Sequence, residues 1–150
     1  MTTVTEARLA LRAVMENGNI VDAVNNPVPL RWQNEPEPDL PDEPAPFVYT
    51  EFLTESGTFV EHGRGRGYNR YRSFARAVSW CFVPQDTGLD QAEMIANQIA
   101  NLLRSYKDAA ITCEQADVFP GDSMKPPGSA DIGNYSSAAC ETILFFDLIG

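Results

Sequence analysis

Arg64, Arg66, Arg70, Arg72 and Arg76 set five guanidinium groups within thirteen residues, among Gly65, Gly67, Tyr68 and Tyr71. Three chemistries use such a mixture. Backbone N–H groups of a glycine-rich loop can wrap a phosphate, cations with aromatic rings can track a single nucleic-acid strand, and a basic loop can dock on an acidic protein surface. The phosphate reading fails on position, because a phosphate cradle needs a helix N-terminus and a lysine behind the glycines. Here the glycines lead into 73–83, an apolar run of strand character. The nucleic-acid reading has Arg64, Arg66, Arg70 and Arg72 beside Tyr68 and Tyr71. Against it stand a formal net charge of −10 and the lack of a second basic patch, since polyanion affinity comes from neutralising phosphates.

Docking on protein accounts for more of the chain. Between Arg31 and Arg64 there is no Lys or Arg, while eight acids fall there; 64–76 then holds five of the eleven bases and no acid. The acids concentrate as Glu35, Glu37, Asp39, Asp42 and Glu43 in NEPEPDLPDEPAP, residues 34–46, an extended loop whose prolines supply no ladder N–H. The basic loop of one copy can meet the acidic arm of another, a head-to-tail contact that closes rings or grows filaments. Equally, the two segments can pair within one chain.

Other reactive side chains are sparse. His62 is the only histidine, so every His-dependent relay rests on it, and no Gly-x-Ser-x-Gly elbow occurs. Cys81, Cys113 and Cys140 are widely spaced and form no metal-ligand pattern. Carboxylates around Asp39, Asp42 and Glu43 lie where nothing desolvates them. The expectation is no catalytic site, no metal and no cofactor. The N-terminus has no signal-peptide pattern, no run suits a membrane span, and buried free thiols fit a reducing compartment.

The elements that must position these groups follow from periodicity. Thr3 and Glu6 form a capping-box pattern ahead of Ala7, Leu11 and Val14, so a first helix ends at Asn17–Asn19, with a further helical turn expected over Ile20–Val24. Val28, Leu30 and Trp32 alternate as an edge strand beginning near Pro29. Phe47–Leu53 alternates, Glu55–Gly57 reads as a turn, and Thr58–His62 as a return strand, which predicts a hairpin. In 73–83, Phe74, Val78, Trp80 and Phe82 make a bulky face and Ala75, Ala77, Ser79, Cys81 and Val83 a small one. That is a central strand with a helix close on its small side. Asp90 and Glu93 suggest a second capping box, opening a helix with the stripe Ala92, Ile95, Ala96, Ile99, Leu102, Leu103 and Tyr106. Ile111–Phe119 and the apolar Ala138–Ile149 are strands, separated by a long loop over 120–137. The fold class is α+β: one domain over 1–150, a mostly antiparallel sheet of five to six strands carrying two main helices, with loops at 34–46, 62–72 and 120–137.

This layout resembles the tail terminator (tail completion) proteins of long-tailed bacteriophages and gene-transfer particles. The likeness is carried by the N-terminal helix, VPLRWQNEPEPDLPDEPAPFVYTEF, GRGRGYNRYRSFARAVSWCFVPQDTGLDQAEMIANQIANLL and the terminal apolar strand. The 34–46 loop is more acidic and proline-rich than the family pattern, and the 120–137 loop is long. The resemblance implies a structural, non-enzymatic virion protein at the tail–neck junction, assembled in the host cytoplasm. It would form a homo-oligomeric ring, a hexamer, that ends tail-tube polymerisation and docks the head connector or stopper protein. DNA would pass through an acidic lumen without specific binding. Interface candidates are Arg64, Arg66, Tyr68, Arg70, Tyr71 and Arg72 on the basic side and Glu35, Glu37, Asp39, Asp42 and Glu43 on the acidic side. Rival expectations are another head–tail joining or tail-tube protein, and a small nucleic-acid-binding protein using the Arg/Tyr loop.

Overall fold

A computed structural model of the chain describes residues 2–33, 35, 43–55, 57–61, 63, 65–85, 87–120 and 135–149. The elements are α1 (Val4–Asn17), β1 (Leu30–Trp32), β2 (Phe47–Thr54), β3 (Thr58–Glu61), β4 (Arg70–Pro84), α2 (Leu89–Leu103), β5 (Thr112–Phe119) and β6 (Tyr135–Ile149). The strands form one six-stranded sheet in the order β1-β2-β4-β6-β5, with β3 also on β4. All pairings are antiparallel except β1 with β2. The fold is α+β, with two helices on a mostly antiparallel sheet.

Fifteen-residue β4 is the axis of the sheet, paired along its whole length to β6, from Arg70↔Ile149 to Pro84↔Tyr135. Its two faces divide the core. Ala75, Ala77, Cys81 and Val83 join Ala7, Leu11 and Met15 of α1 and Ala92, Ile95, Ala96, Ile99, Ala100 and Leu103 of α2. Small sheet residues against an alanine-rich helix face let backbones approach closely, which is why this side carries the helices. Thr50 and Ser79, both buried here, exchange a 2.9 Å hydroxyl hydrogen bond across β2 and β4, so neither is left without a partner. On the other face, Val78, Trp80, Phe82, Phe47 and Ala139 form a second cluster; Phe47 stacks on Phe82 at 4.9 Å and Tyr49 on Trp80 at 6.0 Å.

The capping box at Thr3 is present, with the Glu6 N–H donating to Thr3 Oγ1 and the Thr3 N–H to the Glu6 carboxylate. At α2 the expected box is absent. Gly88 is the N-cap, and Asp90 stands inside the first turn, where its charge suits the helix dipole. Ile20–Val24 is not helical: Val21 bridges Pro27, and a turn at 23–25 with Asn25 at φ 62° reverses the chain.

The largest correction concerns β2 and β3, which do not form a hairpin. Both pair with the same edge of β4, running in the same direction, from Phe47↔Phe82 to Thr54↔Ala75 and then from Thr58↔Arg72. The register slips by one between Thr54↔Ala75 and Thr58↔Arg72, so one extra residue is accommodated. The 55–57 stretch is therefore a bulge within one long strand, which the Glu55 N–H helps hold by donating to the Phe74 C=O at 2.8 Å. The true hairpin joins β3 to β4 through 62–69. A second topological consequence explains the 34–46 loop. Because β1 and β2 are parallel, the chain must travel back along both strands between them, which a tight turn cannot do.

Candidate functional site

The basic segment is the tip of this long hairpin. Its strands β2–β3 and β4 span 47–84, and β6 ends at Ile149 opposite Arg70, so 62–69 lies past the last rung. The Tyr68 N–H donates to the Gly65 C=O at 3.0 Å, closing a turn, and the Gly63 N–H donates to Asn69 Oδ1 at 2.9 Å. A Cβ on Gly63 would stand 2.0 Å from the Tyr68 carbonyl oxygen, and Gly67 has φ +90°, so both positions require glycine. Arg66 is exposed and Tyr68 is 69% exposed.

Arg70, Tyr71 and Arg72 are not loop residues. They open β4, which shortens the expected 62–72 loop to 62–69. Arg72 donates to both Asp147 carboxylate oxygens, at 3.0 and 3.3 Å, and its guanidinium carbon lies 4.1 Å from the Phe145 ring centroid. Arg70 Nε is 3.4 Å from the same carboxylate. Hydrogen bonding from Arg72 is the main reason the Asp147 carboxyl titrates below its ordinary value. Two of the four arginines singled out for stacking and docking thus clamp the base of the arm to β6.

Of the acidic candidates, Glu35 pairs with Arg12 of α1, which also binds Glu16 at 2.7 Å. These bonds, to Glu16 first and Glu35 second, raise the Arg12 pKa above its ordinary value. Arg12 also lies over the Trp32 ring at 5.1 Å. Glu43 is exposed. Arg64, Glu37, Asp39, Asp42 and His62 lie outside the described residues, as does 121–134 of the expected 120–137 loop; Tyr135–Ser137 belong to β6. The structure therefore brings Arg70 and Arg72 together around Asp147, and Glu35 to Arg12, without joining Glu35 to the basic tip.

Sequence reasoning missed Asp147, Arg8 and Arg12. Asp147 had a visible signal, an acid interrupting the apolar run LFFDLI, whereas Arg8 and Arg12 looked like the solvated side of a helix. They line a groove of about 540 Å³ between α1 and the edge of β2, with Val4, Leu9, Trp32, Gln33 and Phe52 among its walls. All three cysteines are buried. Burial pushes Cys113 up to about 12 and Cys140 up to about 11, and Cys81 well above its ordinary value. These thiols pack as hydrophobes and are not nucleophiles.

No family model and no curated protein matches the chain. Among solved structures, a protein bearing only a numerical identifier aligns over 98% of this chain and 93% of its own, with a TM-score of 0.50 and 13% identity. Likeness at that identity shows a shared fold and nothing of activity.

Proposed function

We propose that this chain is a structural subunit that closes into a ring at the end of a phage-type tail tube, ends tube growth and presents the surface on which the head connector docks. It performs no catalysis in this reading. The observation that carries the proposal is the arm: a continuous antiparallel hairpin whose tip, with Arg66 and the exposed Tyr68, projects past the sheet. A rigid base and a small basic tip suit a contact made between subunits or with a neighbouring ring. The Arg72–Asp147 clamp fixes the arm's direction, so less order has to be gained on docking.

The test is tail length by negative-stain electron microscopy in particles made with and without the gene. Overlong or ragged tails lacking heads are the expected result; normal tails with heads attached would overturn the proposal, and absence of tails would move the protein to tube initiation or the tube itself. An Arg66→Glu variant should fold normally yet fail to complete tails. Single-strand nucleic-acid binding is the second reading, favoured by Tyr68 standing exposed beside Arg66. It is weakened because Arg70 and Arg72 are engaged with Asp147. Salt-sensitive retention on single-stranded DNA, lost in Tyr68→Ala, would establish it.

A further inference from the structure

The two margins of the sheet are treated differently. Along β5, the Cys113 N–H donates to the Tyr106 C=O at 2.8 Å, Lys107 bridges Thr112, and Arg104 caps the Ala116 carbonyl at 2.9 Å. The end of β6 is covered by Thr2, whose N–H donates to the Asp147 C=O. These are the ordinary ways of blunting an edge. On the other margin β1 stops at Trp32↔Thr50, and only the Gln33 side chain follows, its Oε1 accepting from the Phe52 N–H at 3.2 Å. Beyond that, among the described residues, the outer edge of β2 and β3 has no strand partner. It adjoins the groove under α1, and large apolar side chains are exposed along it: Val4 and Leu9 in the groove, Leu53 and Val60 on the strands.

We infer that this edge receives an added strand, and that its occupant is the acidic proline-rich segment 36–42 of a second copy. This rests on the ring reading above and names the contact that would build the ring. Three features select that segment. Pro36 and Pro38 alternate, so in an added strand their missing donors would fall on one side and the N–H groups of Glu37 and Asp39 on the other. Such a strand joins a sheet edge and stops there, adding no new edge. Its acids suit the groove, where Arg8 is exposed and Arg12 already exchanges with carboxylates. Leu40 and the prolines suit Val4 and Leu9.

Chain reach favours a second copy over the chain's own segment. From Glu35, which follows the last β1–β2 rung, the chain has about twelve steps to return to Phe47. At about 3.3 Å per residue it can follow the edge for only about 10 Å past Phe52 before turning back. Thr58 lies about 17 Å along the same edge, allowing for the bulge.

The experiment mixes two differently tagged full-length variants, Val60→Cys and Asp39→Cys, under mild oxidation. The native thiols are buried and do not compete. A cross-link between the two tags should exceed by at least tenfold that obtained when Asp39→Cys is paired with Val24→Cys, a site 72% exposed in the 23–25 turn. Equal yields would overturn the inference. So would a double Asp39→Cys, Val60→Cys chain that closes its disulfide only within the monomer. Native mass spectrometry of the unmodified protein separates the two claims. Rings without the cross-link remove this contact and leave the ring; cross-linked chains that form no ring, with normal tails, remove the ring and leave the contact.

Discussion

Ala77→Leu tests the two-faced reading of the sheet most directly. Ala77 is 1% exposed, sits between Phe52 and Thr142 across the neighbouring strands, and belongs to the helix-side core with Ala75, Cys81 and the alanines of α2. The added carbons have no cavity to enter, so α2 must move away from the sheet or side chains must leave their rotamers, costing about 1–3 kcal/mol. For a domain of this size each kcal/mol lowers Tm by about 2–4 °C, so a fall of about 2–12 °C is expected by differential scanning calorimetry. Ala109→Leu, at an exposed position, is the control and should leave Tm within about 1 °C. An unchanged melt for Ala77→Leu would mean that the small face is not closely packed, and the account of why the helices choose that side would fall.

Thr3→Ala removes the acceptor for the Glu6 N–H and should cost about 1 kcal/mol, seen as a Tm loss of about 2–4 °C; a wild-type melt would show that α1 is held by packing alone. Asp147→Asn tests the clamp through pH. The folded-state pKa of Asp147 is lowered, so its contribution is present above the ordinary carboxylate value and disappears as pH falls through the folded pKa. Wild type should therefore exceed the variant in Tm at pH 7, by an amount small for a partly exposed pair, and the two should converge by about pH 2–3; a gap independent of pH would assign the effect to packing. A thiol reagent such as Ellman's should find no fast-reacting cysteine in the native protein and three after denaturation, because Cys81, Cys113 and Cys140 are buried with raised pKa values. A rapid native reaction of even one thiol would contradict that burial.

Elements with their own periodic signal were legible in the sequence. The Thr3–Glu6 box, the apolar stripes of both helices and the alternation of β4 are set by neighbours three, four or two residues away, and each appears as expected. The small and bulky faces of β4 even indicated which side would carry the helices. Partner choice was a different matter. Phe47–Thr54 and Thr58–Glu61 read as two strands around a turn, yet alternation is the same whether a strand folds back on its predecessor or continues past a bulge. Only the fifteen-residue length of β4, which offers one edge to both, decides for continuation. The same non-local pairing moved Arg70 and Arg72 from a supposed loop to a clamp, since Asp147 is distant in the chain and reaches them through the β4–β6 register. Composition and periodicity by themselves determined what could form a helix, a strand or a charged arm. Which edge stayed open, and which arginines remained at the tip, depended on long-range hydrogen bonding that no local pattern encodes.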